Sequence, residues 1–254
     1  MSEERVRVVA RSPIAPAPPV VVADGWEVSG RRAAAELTIT DCTPLTKVQL
    51  RAPIGGRAAA AVGVRFGRAA AGGAGTLVVG SGPGEWLLLA APGRTEGFGA
   101  IGVWGVPREQ SAPPGQHRAQ ALEPERIAAQ APGEHVTWVD LTHGRALIRL
   151  TGSPGPRLLA KLCGIDLGDD VTPDGAAFRT SVAALATDVI RDDVVRSADG
   201  PERTRSYLLH CERSSGQYLF DAMLRAGAEF GIEIDGFRMP DALPGRPVPP
   251  DDPA

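Results

Sequence analysis

Between Asp140 and Cys163 the chain reads Asp-Leu-Thr-His-Gly-Arg-Ala-Leu-Ile-Arg-Leu-Thr-Gly-Ser-Pro-Gly-Pro-Arg-Leu-Leu-Ala-Lys-Leu-Cys, and the period of its apolar pattern changes partway. Ala146, Ile148 and Leu150 alternate with Leu147, Arg149 and Thr151, as in a strand with one face against a core. Ser153 and Pro154 then offer an N-cap side chain and a first-turn residue whose missing N–H costs nothing there. Leu158, Leu159, Leu162 and Cys163 fall on one helical stripe, and Gly164 follows as the permissive residue that closes the last turn. The unit is β-turn-α, which commits this part of the chain to a mixed sheet-and-helix domain.

The same grammar recurs on either side. An earlier half reads as strand Thr46–Arg51, an Ala-rich helix from Arg57 to Val62, strands Thr76–Val79 and Trp86–Ala90, and a helix Pro124–Gln130. A later half reads as strand Val139–Thr151, helix Pro156–Cys163, strands Val182–Ile190 and Tyr207–Cys211, and helix Gln217–Phe230. The expected fold is therefore α+β, a duplicated β-α-β-β-α unit. The last helix has Ser214 and Gln217 placed for a capping box and Gly231 just past its end. Leu219, Met223, Ala226 and Phe230 form its apolar stripe, which at this spacing is core packing and carries no cofactor role.

Proline divides the rest. Residues 1–40 read as a Pro-rich arm and 239–254 as a Pro-rich tail, with a domain at 41–238 split into halves at 41–135 and 136–238. The Gly- and Pro-rich stretch from Pro92 to Gly133 reads as a long surface excursion, and Asp192 to Arg205 as a charged hairpin loop.

With 254 residues, 43% of them apolar, the chain can bury a core as one large domain or two small ones. Its 27 basic and 30 acidic residues leave a net charge of −3, which builds no field for nucleic acid or an anionic membrane. Cys42, Cys163 and Cys211 are odd in number and widely spaced, fitting reduced thiols in a cytoplasm. No signal-like N-terminus or membrane-length apolar run is present, so a soluble cytoplasmic protein is expected.

The chemistry in view is sparse. His143 follows Thr142 near Asp140, but alternation puts it on the face opposite that acid, so it reads as a hydrogen-bonded structural or interface histidine. His117, His135, His143 and His210 form no metal-ligand spacing, and the neighbours His210 and Cys211 point to opposite faces of a strand. Gly80-Ser-Gly-Pro-Gly84 is followed by a strand rather than a helix, which makes it a hairpin turn and not a phosphate loop. Catalytic, cofactor-binding and metal-ligating residues are accordingly expected to be none.

Several segments resemble the γ subunit of heterotetrameric sarcosine oxidase and, more distantly, the folate-binding fold of the glycine-cleavage T protein. The strand bearing Asp140-Leu-Thr-His143 and its helix are similar to both. Arg11-Ser-Pro-Ile-Ala15, Thr46-Lys-Val-Gln-Leu-Arg51, Gly82-Pro-Gly-Glu-Trp-Leu-Leu-Leu89 and Ser206-Tyr-Leu-Leu-His-Cys-Glu-Arg-Ser214 with Gln217–Gly231 resemble γ-subunit segments, in order, across residues 11–238.

The resemblance implies a noncatalytic γ-type subunit without its own cofactor. It would join α, β and δ-type subunits that hold FAD, FMN and NAD and pass the oxidised methyl group of sarcosine, or a related N-methyl amine, to tetrahydrofolate. In the T protein a carboxylate on the second half's strand pair engages the pterin. Matching Val189-Ile190-Arg191 to its Val-Tyr-Arg puts Leu185 and Ala186 where the acids would stand, with Asp188 displaced along the strand. The competing readings are a stand-alone folate-dependent aminomethyltransferase or demethylase, which would need that acid, and an adaptor of another flavin dehydrogenase.

Overall fold

The computed structural model describes residues 8–72, 75–92, 124–195 and 203–238. Along the chain come β1 (Ala10–Arg11), β2 (Val20–Ala23), β3 (Trp26–Ser29), β4 (Thr38–Asp41), β5 (Thr46–Arg51), α1 (Arg57–Val62), β6 (Ala69–Ala71), β7 (Leu77–Gly82) and β8 (Glu85–Ala90). Then follow α2 (Pro124–Gln130), β9 (Thr137–Asp140), β10 (Arg145–Thr151), α3 (Gly155–Leu159), β11 (Ala177–Val182), β12 (Leu185–Arg191) and β13 (Val194–Val195). The described part closes with β14 (Arg203–Thr204), β15 (Ser206–Glu212), α4 (Gly216–Gly227) with a 3-10 turn at Ala228–Phe230, and β16 (Glu233–Ile234). The fold is mixed α+β, mostly sheet.

Among these residues, 8–45 and 142–238 form one compact unit and 46–141 another. In the second unit, β5 pairs with both β8 and β9, giving the sheet order β6-β7-β8-β5-β9. Its core gathers Val48, Leu50, Val78, Trp86 and Leu88 from the strands with Ala58 and Val62 of α1 and Ile127 of α2. The Trp86 indole N–H donates to the Val64 carbonyl at 2.6 Å, so this buried ring leaves no donor unsatisfied. Helix α1 has no capping side chain of its own. Glu134, far along the chain, accepts the Arg57 N–H at 2.7 Å and the Ala58 N–H at 3.1 Å instead. Those two backbone donors hold the Glu134 carboxyl below the usual carboxylate range. Gly80 lets β7 pass close beneath the Arg65 carbonyl, where an added Cβ would sit 2.0 Å from that oxygen.

In the first unit a six-stranded sheet runs β11-β12-β15-β10-β4-β16, and a small sheet runs β1-β3-β2. One face of the larger sheet carries Ile39, Ile148, Leu150, Val189, Tyr207 and Leu209 against Leu158 and Leu159 of α3 and Leu219 and Met223 of α4. Gly216 opens α4 close to Ala146 and Pro13, so the N-terminal segment lies on this helix end, and Gln217 Oε1 accepts the Ala15 N–H at 2.7 Å.

Strand β5 and helices α1 and α2 have the expected bounds, and β13 pairs antiparallel with β14 within the expected hairpin at 192–205, of which residues 196–202 lie outside the described residues. Other expectations change. The run 139–151 is two strands, β9 in one unit and β10 in the other, broken by a turn at Thr142–Gly144. The run 182–190 is the end of β11, a turn at Ala183–Ala184 with φ of 49° and 66°, and β12. Helix α3 ends at Leu159, its N-cap is Pro154, and Ser153 donates to Glu36 rather than capping. Ser215 rather than Ser214 precedes α4, without a side-chain cap, whereas Gly231 does close its end in the left-handed region at φ 64°. The expected arm, residues 1–40, carries β1 to β3 and all but the last residue of β4. Most of the expected 92–133 excursion, and the 239–254 tail, lie outside the described residues.

Candidate functional site

The densest polar chemistry lies on the six-stranded sheet of the first unit. A two-residue turn pairs Arg179 with Asp188 across β11 and β12, and the next pairing sets Asp188 beside His210 of β15. The three side chains form one lateral row. Arg179 Nε donates to Asp188 Oδ1 at 2.6 Å and its Nη2 to Oδ2 at 3.2 Å, while His210 Nδ1 meets Oδ2 at 2.9 Å. Asp188 and His210 are buried, and Arg179 reaches solvent with 60% of its side chain. Burial pushes the Asp188 carboxyl up, but the hydrogen bonds from His210 and Arg179 prevail and hold it below the usual carboxylate range. The ionised carboxylate is thus the acceptor for Nδ1–H, which in neutral His210 leaves Nε2 as the acceptor nitrogen.

A second row lies at the other end of β10 and β15. Arg149 Nη2 donates to Asp192 Oδ2 at 2.7 Å and its Nη1 to Ser206 Oγ at 2.8 Å. Burial works against the Arg149 charge, yet Asp192 and the neighbouring Cys42 hold its pKa above the ordinary value. Across the strands, Arg191 is clamped by Asp193 through two bonds of 3.1 and 3.0 Å, by Asp169 at 2.6 Å and by the Thr172 carbonyl at 2.7 Å. These paired cations tie the segments 169–172 and 192–193 to the sheet.

The residues singled out in the sequence fall as follows. His143 is exposed and stacks on Trp26, ring centres 4.9 Å apart and planes within 10°. His210 and Cys211 do face opposite ways, His210 toward Asp188 and Leu147, Cys211 beside Ala146 in the helix-covered core. Burial pushes the Cys211 thiol up to about 11, and Cys42, Cys163 and Cys211 are thiols rather than disulfide partners. Among the described residues no three His, Cys, Asp or Glu side chains converge as metal ligands. Gly80–Gly84 forms the turn region of the β7–β8 hairpin. Leu185 and Ala186 stand at the start of β12, and Asp188, on the same face as Ala186, is committed to Arg179 and His210. No helix among the described residues is long and apolar enough to cross a membrane.

No protein-family model matches the chain, and no curated protein matches it in sequence. Solved structures do match in fold. One is a heterotetrameric sarcosine oxidase from Corynebacterium sp. U-96 in complex with pyrrole 2-carboxylate, with 21% identity, a TM-score of 0.55, and coverage of 78% of this chain and 88% of that one. Another is the glycine cleavage system aminomethyltransferase T from Bartonella henselae, with 13% identity, a TM-score of 0.54, and coverage of 85% of this chain and 55% of that one. Both are of the two kinds that the sequence motifs resemble.

Proposed function

We propose that the chain is a noncatalytic γ-type subunit of a heterotetrameric sarcosine oxidase-like flavoenzyme that oxidatively demethylates sarcosine or a related N-methyl amine. The observation that carries this reading is the fold match to a chain of such an oxidase over most of both lengths. The ordered γ-like motifs from Arg11 to Gly231 support it independently. In this reading FAD, FMN and NAD belong to α, β and δ-type partners, and the methyl group leaves toward tetrahydrofolate. The role of this chain is to pack against the flavin-bearing subunits in the cytoplasm. Its buried ion pairs suit that role, since their polar groups are spent on holding strands and loops in place. The matching strand orders β6-β7-β8-β5 and β11-β12-β15-β10, in which β5 and β10 each lie beside the last strand of an antiparallel meander, support reading the halves as a duplicated β-α-β-β-α unit.

The test is coexpression with flavin-bearing α and β-type subunits from the same genome. Copurification in one yellow complex, with sarcosine-dependent hydrogen peroxide release, is the expected result. A chain that never copurifies with a flavoprotein overturns the reading.

The likeness to aminomethyltransferase T favours a second reading, a folate-dependent transferase. Against it, Leu185 and Ala186 offer no carboxylate and Asp188 is occupied. Micromolar tetrahydrofolate binding by the isolated chain, lost in Asp188→Asn, would establish that reading instead.

A further inference from the structure

Among the described residues the small sheet β1-β3-β2 leaves β2 as an edge strand. Its valines are unusually bare, with Val20 50%, Val21 44% and Val22 62% exposed. Successive residues of a strand face opposite ways, so exposure of all three means that the described residues close over neither face of the edge. No lysine, proline or bulge blunts the strand itself, although native edges are commonly blunted in those ways.

The hairpin also fixes which backbone groups look outward. The Gly30 N–H donates to the Pro19 carbonyl at 2.7 Å, making Pro19 and Gly30 a hydrogen-bonded pair. Alternation along β2 and β3 then makes Val21 with Val28 and Ala23 with Trp26 the bonded pairs. Val20 and Val22 therefore aim their N–H and C=O groups at the free edge.

Charge along the hairpin is polar. Exposed Asp24 sits in its turn, and exposed Arg31 and Arg32 follow Gly30 at its open end. An antiparallel second copy reverses this order, so that the acidic turn of each hairpin lies toward the basic end of the other. We infer that β2 is a self-complementary edge that pairs antiparallel with β2 of a second copy about a two-fold axis through Val21, with Val20 bonded to Val22 of the other copy. Such an isologous contact closes on itself and uses up the edge, whereas head-to-tail pairing would build fibres. Its small span places it among weak interfaces, so the dimer is expected only at high protein concentration. The inference does not depend on the subunit reading above.

Analytical ultracentrifugation of the full chain between about 1 and 500 µM, paired with amide exchange, tests it. The wild type should pass from monomer to dimer, with the Val20 and Val22 amides gaining protection while Val21 keeps that of its bond to Val28. Val22→Lys should weaken the dimer at least tenfold at unchanged thermal stability. If that variant fails to fold, Asp24→Asn, which keeps a residue tolerant of the turn, should still weaken the dimer several-fold and reduce its salt dependence. A chain monomeric throughout, a dimer indifferent to the variants, or valine amides protected only by a different protein would overturn the inference.

Discussion

Asp188 Oδ2 stands 2.9 Å from His210 Nδ1, two buried groups 22 residues apart in sequence and side by side in the sheet. Replacing Asp188 by Ala removes the carboxylate that buried His210 and Arg179 share, and should destabilise the protein by about 2–4 kcal/mol in urea unfolding. The folded carboxyl lies below its unfolded value. Its contribution is therefore complete above the unfolded pKa of about 4 and is lost as pH falls through the folded pKa. Asp188→Asn should flatten the acid limb of the stability profile, and an unchanged limb would show that Asp188 is not held ionised by its partners.

Tyr207 is fully buried, and its hydroxyl has no hydrogen-bond partner among the described residues. Burial pushes it up to about 12. Removing an unbonded hydroxyl loses nothing, so Tyr207→Phe should leave stability within about 0.5 kcal/mol or raise it, while Tyr207→Ala should cost about 3–5 kcal/mol. The tyrosine's folded pKa exceeds its unfolded value near 10, so its contribution is present below about pH 10 and is lost as pH rises through the folded value. Melting curves from pH 7 to 11 on the wild type and Tyr207→Phe compare both effects, and the variant should lack that alkaline loss.

The β11–β12 turn forces Ala183 and Ala184 into positive φ, which a type I′ hairpin requires and alanine disfavours. Ala184 is exposed. Ala184→Gly should therefore stabilise by about 0.5–1 kcal/mol, because the roughly 1–2 kcal/mol of left-handed strain it relieves exceeds the cost of the added freedom of the unfolded chain. A loss of stability on chemical denaturation would contradict the turn geometry.

Leu158 and Leu159 are fully buried, whereas Leu162 lies beyond the end of α3 and only partly packs on the same core. Leu158→Ala should cost about 2–5 kcal/mol, and Leu162→Ala about half of that or less. Equal melting shifts for the two would mean that the helix continues through Leu162 as the stripe in the sequence suggests.

That stripe marks where sequence reading stops. Thr46–Arg51 and Pro124–Gln130 were legible because apolar period and local breakers agree there. The break at Thr142–Gly144 was hidden because Val139 to Leu150 keeps strand-like residues through a turn that sends the chain from one sheet to another. The hairpin at Ala183–Ala184 lacked the Asn-Gly signal of such turns. Had the turn been placed, Arg179 and Asp188 would have emerged as a pair equidistant from it. His210 would not, since its position beside Asp188 depends on a long-range strand pairing that no local pattern encodes. The fold resemblance was legible from the order of several short motifs rather than from any one of them.

Strand β4 sits between β10 and β16, so among the described residues 38–41 find their sheet partners in 148–151 and 233–234. On the ribosome these early residues must wait through most of synthesis, while the strands and helices between Thr46 and Leu141 can settle among themselves. For β4 the order of folding thus inverts the order of translation: the middle of the chain can mature first, and β4, made before it, is paired on both sides only when β16 arrives.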